Sequence, residues 1–270
     1  MVRKAIIPAA GYGTRTLPIT KVLPKEMLPI CGRPAIDYLV EEAINSGIEQ
    51  ILIVVSRSKN MILDYYDRSV ELENYLEEKG KTHLLKEITL PDVHFQYIRQ
   101  SYARGLGEAI LLGKHFVGDE PFAVLLPDEI ILSDKQPPLR QLINMFKEYK
   151  GNVVGVQRTD PSLLSNYGVI KPQALREKEY TIKDIVEKPQ QSPPSDLAVI
   201  GRYIFDPAIF HYLENVTPGV GGEIQLTDAI KAMSLDYSTY ALEIQGKSYD
   251  IAKSEEYIKL INILCGPKED

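Results

Sequence analysis

The rhythm of hydrophobic and polar positions changes near residue 160. Before that point, short continuous apolar runs recur: Ala5-Ile6-Ile7, Gln50–Val55 (QILIVV) and Phe122–Leu126. Such runs predict strands buried on both faces, as in a parallel sheet. Helical spacing lies between them. Pro34 opens a helix to about Ser46, with Ile36, Leu39, Val40, Ala43 and Ile44 on one face and Gly47 closing it. Val93–Arg99 predicts another strand, a glycine turn at 104–108 opens a helix to about Lys114, and a helix near 139–149 precedes a strand at Val153–Gln157. Residues 60–88 are charge-rich with a helical pattern and are expected to form a solvated excursion or an oligomer contact. After 160 the pieces shorten into β-like segments at Tyr167–Lys171, Tyr180–Glu187 and Ala198–Phe205. A helix at Glu223–Met233, a strand at Thr239–Ile244 and an amphipathic helix at 254–264 complete the pattern.

Strands alternating with helices predict an α/β fold: a Rossmann-like, mixed, mostly parallel central sheet flanked by helices, with a smaller β-rich part. One domain over 1–270 is expected, with halves at 1–158 and 159–270 and no flexible linker.

Composition narrows the classes. The chain has 270 residues, 44% hydrophobic and 25% charged, which is ordinary globular usage. A net charge of -6 and a pI near 5.4 argue against nucleic acid as the main partner. No apolar run approaches the roughly 18 residues of a membrane span, and no signal-type apolar segment follows the start, so a cytoplasmic protein without a membrane partner is expected. Cys31 and Cys265 lie in no C-x-x-C pattern, so neither structural zinc nor a disulfide framework is expected. His83, His94, His115 and His211 show no metal-ligand spacing.

The candidate chemistry begins where the first strand breaks into Ala9-Ala10-Gly11-Tyr12-Gly13-Thr14-Arg15. Glycines after a strand let backbone N–H groups approach a phosphate, and Arg15 and Lys25 add charge. A dinucleotide fingerprint would need a third glycine where Thr16 stands and an acid where the second strand runs into Ser56-Arg57. No G-x-x-x-x-G-K-[ST] occurs either. The open alternatives are a triphosphate loop and a tight structural turn. Asp128, ending a buried strand, suits a hard cation or a turn. Glu187-Lys188 suits a sugar hydroxyl and a phosphate, or an exposed ion pair. Gln100 can pair with a base edge or face solvent. Asp250 suits a second metal ligand or a helix N-terminal charge.

Taken together, the motifs resemble the sugar-phosphate nucleotidyltransferases, and within them the bacterial UTP–glucose-1-phosphate uridylyltransferases. The resemblance rests on AAGYGTR at 9–15, LPITKVLPKEMLPI at 17–30 and RQSYARGLGEAI at 99–110. It continues through LPDEIIL at 126–132, NYGVI at 166–170, VEKP at 186–189, VIGRYIF at 199–205 and GVGGEIQLTDAI at 219–230. The resemblance implies that UTP and glucose 1-phosphate become UDP-glucose and pyrophosphate with Mg²⁺, in a homo-oligomer (dimer or tetramer). The alternative is another nucleotide and sugar 1-phosphate pair, or a weakly active regulatory homologue that binds sugar nucleotide. The resemblance implies that residues 1–158 hold the nucleotide, through Ala10, Gly11, Gly13, Gln100 and Gly105. Gly168, Glu187, Lys188 and Gly201 of the second half would hold the sugar phosphate. Arg15, Lys25 and Lys188 would be catalytic, and Asp128 and Asp250 would bind metal. One departure stands out. The family continues its second aspartate as D-x-G-x-K-x-G-[YF], where this chain reads DIAKSEEY at 250–257, with Lys253 one place early.

Overall fold

The computed structural model of the protein describes residues 1–266. Its strands are β1 (Lys4–Pro8), β2 (Pro29–Ile30), β3 (Arg33–Pro34), β4 (Gln50–Val55), β5 (His94–Arg99), β6 (Phe122–Leu125) and β7 (Glu129–Leu132). They continue as β8 (Asn152–Arg158), β9 (Gly168–Arg176), β10 (Glu179–Glu187), β11 (Leu197–Phe205), β12 (Thr239–Glu243) and β13 (Lys247–Asp250). The α-helices are α1 (Ala35–Asn45), α2 (Asn60–Tyr65), α3 (Val70–Glu78), α4 (Leu106–Leu111), α5 (Lys114–Val117), α6 (Pro138–Tyr149), α7 (Ile209–Asn215), α8 (Leu226–Met233) and α9 (Ser254–Cys265). The expected charge-rich stretch at 60–88 divides into α2, α3 and a 3₁₀ segment.

Among the described residues, nine strands form one sheet in the order β5-β4-β1-β6-β11-β8-β12-β10-β9. Four neighbouring pairs are parallel and four antiparallel, so the sheet is mixed as expected, with a larger antiparallel share than the apolar runs suggested. Successive side chains along a strand point to opposite faces. Ala5 and Ile7 accordingly pack with α1, α6 and α9, and Ile6 packs with α4, α7 and α8. Two cores thus sandwich the sheet, the usual way an α/β layer hides both of its faces.

The chain leaves β1 toward β4 on one side, and β6 lies on the other. This change of direction opens a crevice beyond the carboxyl ends of β1 and β6, where open α/β sheets take ligands. β11 runs antiparallel to β6, with Arg202 opposite Leu125, so Gly201 lies beside Leu126 at the same end. β10 pairs with β9 so that Glu187 faces Gly168. Outside the main sheet, β13 pairs with β7 and sets Asp250 opposite Glu129.

The expectation for the cysteines is corrected. Cys31 and Cys265 form a disulfide, with Cα atoms 5.7 Å apart, across 234 residues of sequence. The spacing rule detects local pairs, and here the fold supplies the proximity. α9 lies against the β2–β3 hairpin, where the Tyr257 hydroxyl donates to the Pro29 carbonyl at 2.6 Å. Among the described residues, no helix is long and apolar enough to cross a membrane.

Candidate active site

A cavity of about 500 Å³ opens at this end of the sheet. Ala10, Gly11, Arg15, Lys25, Gln100, Gly105 and Asp128 line it from the first half of the chain. Gly168, Glu187, Lys188, Gly201 and Asp250 line it from the second. Gly13 is the one candidate outside the lining. Its carbonyl accepts from the Thr16 amide at 3.0 Å and from the Thr20 hydroxyl at 2.7 Å, so it shapes the loop.

Charge is arranged around Arg15. Its guanidinium donates to Asp250 at 2.9 Å and to Asp128 at 3.0 Å, and Lys25 donates to the same Asp128 oxygen at 2.7 Å. Burial pushes the Asp128 carboxyl up, but the Lys25 and Arg15 charges outweigh it and hold the group below the usual aspartate range. Asp250 moves the other way: burial raises it, the Asp128 charge adds to the rise, and Arg15 opposes without winning. The two aspartates come together because β13 pairs with β7. The Ile251 amide donates to the Asp128 carbonyl at 2.9 Å, and the Ala252 amide donates to the Asp250 carboxylate at 2.9 Å.

The donor set suits a hard divalent cation. Two carboxylates share one guanidinium, and no group of three or more His, Cys, Asp or Glu is placed to hold a metal ion among the described residues. One or two carboxylates with substrate phosphates is the usual arrangement for Mg²⁺.

Lys25 is held from behind. Its neighbour Glu26 is fully buried and accepts two hydrogen bonds, at 2.7 and 2.8 Å, from the buried Lys59 ammonium. A second buried pair supports the floor. Arg202 donates to Glu42 at 2.8 and 3.0 Å, and to the carbonyls of Glu129 at 2.8 Å, Gly201 at 3.3 Å and Leu126 at 3.4 Å. Gly201 has φ +71°, and a Cβ there would stand 2.8 Å from the Leu126 Cβ, so glycine is required.

The Glu187–Lys188 side of the cavity is built on a turn. Lys188 adopts φ 47°, an unusual value for a lysine, and its amide donates to the Tyr167 carbonyl at 2.9 Å. Glu187 accepts from the Thr227 hydroxyl at 2.5 Å. The side-by-side acid and base therefore both reach the cavity lining.

Sequence reasoning missed Glu129, Tyr167 and Thr227 as lining residues. Glu129 accepts from the Ser248 hydroxyl, and burial pushes its carboxyl up to about 8, with Ser248 opposing and the charges of Asp128 and Asp250 adding. Its position directly after Asp128 was a usable signal. The departure at 250–257 also takes shape here. The Lys253 ammonium donates to the Tyr167 hydroxyl at 2.7 Å and lies 3.7 Å from Asp250. A lysine one place early still reaches the rim of the site.

The family model described as nucleotidyl transferase matches residues 4–265. The chain belongs to the nucleotidyl transferase family. Two Bacillus subtilis (strain 168) relatives in it are similar over nearly the full chain. The UTP–glucose-1-phosphate uridylyltransferase YngB is 50% identical, covering 93% of this chain and 85% of its own length. A second UTP–glucose-1-phosphate uridylyltransferase is 48% identical, covering 95% and 89%. The crystal structure of a UDP-glucose pyrophosphorylase complexed with UDP-glucose superposes with a TM-score of 0.87, at 43% identity and 98% coverage of both chains.

Proposed function

We propose that the protein transfers the uridylyl group of UTP to glucose 1-phosphate, giving UDP-glucose and pyrophosphate. The observation that carries this reading is one cavity in which Arg15, Lys25 and Asp128 from the nucleotide half meet Glu187, Lys188 and Asp250 from the sugar half. The names of the similar proteins support the choice of nucleotide and sugar. The halves at 1–158 and 159–270 are divisions of substrate handling within one domain.

In this mechanism the backbone at Ala10 and Gly11 approaches the nucleotide, with Gly13 shaping the loop. Gln100 and Gly105 hold the base. Arg15 and Lys25 bind the triphosphate and the departing pyrophosphate, and Lys188 holds the phosphate of glucose 1-phosphate. Gly168, Glu187 and Gly201 frame the sugar. An oxygen of that phosphate attacks the α-phosphorus, and the bond to the β-phosphate breaks in line. The nucleophile is already an anion, so no covalent enzyme intermediate and no general base are required. Positioning and charge neutralisation carry the rate. A divalent cation held by Asp128 and Asp250, with Mg²⁺ favoured by their hard oxygens, supplies further neutralisation of the phosphates when bound.

Self-association and a cytoplasmic location complete the proposal. Val70, Leu72 and Tyr75 are exposed apolar side chains on α3 and support a contact there. In a reducing compartment Cys31 and Cys265, whose Cα atoms lie 5.7 Å apart, would be held as a dithiol.

The test is pyrophosphate release in Mg²⁺ across four nucleoside triphosphates and several sugar 1-phosphates. Highest kcat/KM for UTP with glucose 1-phosphate is expected. No turnover with any pair, together with tight UDP-glucose binding, would replace the enzyme reading with that of a sugar-nucleotide-binding regulator.

A further inference from the structure

Gln100 is fully committed on one side of its amide. Its backbone amide extends the sheet by donating to the Val55 carbonyl at 2.9 Å, and the residue is buried at 6% exposure while lining the cavity. The side-chain nitrogen donates to a Glu108 carboxylate oxygen at 2.8 Å and to the Gly105 carbonyl at 3.4 Å. Both amide hydrogens are therefore used inside the protein. The amide oxygen has no hydrogen-bond partner among the described residues, and it is not one of the fully enclosed unpartnered atoms. It is the atom left for a ligand.

The turn that holds this arrangement is tied to Ile224. The Ile224 amide donates to the Arg104 carbonyl at 2.8 Å, and the Gly107 amide donates to the Ile224 carbonyl at 2.8 Å. Gly105 has φ +106°, and a Cβ on it would stand 2.7 Å from the Ile224 carbonyl oxygen. Glu108 follows in the first turn of α4, with Arg104 3.8 Å from its other oxygen.

We propose that Glu108 is a specificity-determining positioning residue that fixes the Gln100 amide so that only its oxygen faces the nucleobase. The proposal rests on the reading of this cavity as the nucleotide site. An ionised carboxylate only accepts hydrogen bonds, so it selects the amide orientation with nitrogen toward it. Rotating the amide by half a turn would set two oxygens against each other and bring the amide nitrogen to the cavity. With the orientation fixed, the site demands a donor from the base edge. The N3–H of uracil is such a donor. N3 of cytosine is an acceptor, and in that place it repels the Gln100 oxygen. Two pyrimidines of the same size are thus separated by one carboxylate that touches neither. Thymine and uracil, which share the N3–H, are not separated by this device.

Calorimetric titration of UTP and CTP in Mg²⁺, without sugar phosphate, into the full chain and its Glu108→Ala and Glu108→Gln variants tests the assignment. Glu108→Ala frees the amide to turn, and the preference for UTP over CTP is expected to fall roughly tenfold or more, the worth of one hydrogen bond exchanged for an unmet acceptor. Glu108→Gln, whose side-chain oxygen can still accept, is expected to keep the preference within about threefold of the unaltered chain. In steady state with UTP, Glu108→Ala raises KM more than it lowers kcat, because the amide lies at the base and not at the reacting phosphorus. A UTP-to-CTP ratio unchanged in Glu108→Ala overturns the proposal, as does a loss in Glu108→Gln equal to that in Glu108→Ala. The binding ratios judge Glu108 whether or not glucose 1-phosphate is turned over. Absence of that turnover would count against the proposed reaction alone.

Discussion

Replacing Arg202 with methionine should remove a large part of the protein's stability. Methionine roughly matches the stem of arginine and removes only the guanidinium. Arg202 has no exposed surface, and its partner Glu42 is 9% exposed. Without the guanidinium, the Leu139 amide, at 2.9 Å, is the one donor left to the buried Glu42 carboxylate among the described residues. Breaking a buried ion pair by removing one partner costs ~3–5 kcal/mol. The carbonyls of Leu126, Gly201 and Glu129 lose a donor as well. Leu126 and Gly201 are weakly bonded to Arg202, and Gly201 keeps the Leu126 amide at 2.9 Å, so the added cost is about one hydrogen bond, ~1 kcal/mol. The expected total is ~4–6 kcal/mol, set against the ~5–15 kcal/mol that holds a typical domain together. For a chain of this size that is a fall in Tm of roughly 7–11 °C. Urea unfolding at 25 °C with an unchanged m-value measures it. Glu42→Leu with Arg202→Met should recover ~2 kcal/mol or more relative to the sum of the single losses, because the orphaned charge is gone. A loss below ~1.5 kcal/mol for Arg202→Met would refute the reasoning, since no buried charge would then have been stranded.

Other perturbations separate the parts of the site. Lys188→Ala should raise KM for glucose 1-phosphate roughly 10–100-fold and leave UTP affinity within about threefold; equal losses for both substrates in steady-state kinetics would count against its phosphate role. Asp128→Asn should lower Mg²⁺-dependent turnover by roughly 10²–10³, and chelation with EDTA followed by Mg²⁺ should abolish and restore activity in the unaltered enzyme; near-normal turnover of the variant removes Asp128 as the ligand. Lys59→Met strands the Glu26 carboxylate and should cost ~3–5 kcal/mol in denaturant unfolding; a cost under ~1 kcal/mol would mean that the pair does not brace Lys25.

Much of the first half was legible because burial on both faces is written locally. QILIVV at 50–55 and the run from Phe122 need no distant partner to declare themselves strands, and β4 and β6 follow them closely. The ribbon of β7 and β13 was not legible. Each strand has four residues, and the pairing joins Glu129 to Asp250 across the chain. Asp250 could be nominated from its sequence but not placed beside Asp128, because its place depends on that register. Arg202 places a charge within the apolar run of β11, and only the arrival of Glu42 from α1 explains it. The cysteine reading failed for the same reason, since the bond is made by packing of α9 and not by spacing. Among the site residues, loops that follow strand ends were found readily, and Glu129, Tyr167 and Thr227 were overlooked because only the assembled cavity gives them a shared purpose.

The place of β11 has a kinematic consequence. This strand belongs to the later half of the chain, yet it is bonded on one edge to β6 and on the other to β8, both from the earlier half. A clamshell motion that swung the two halves apart would have to tear both ladders. Two substrates can still enter and a nucleotide-sugar product can still leave, but the opening has to come from segments that the ladders do not restrain, such as the loop from Gly11 to Pro24 and the turn at Lys188 to Ser195. Crosslinking the sheet should therefore leave turnover intact, and stiffening those loops should slow it.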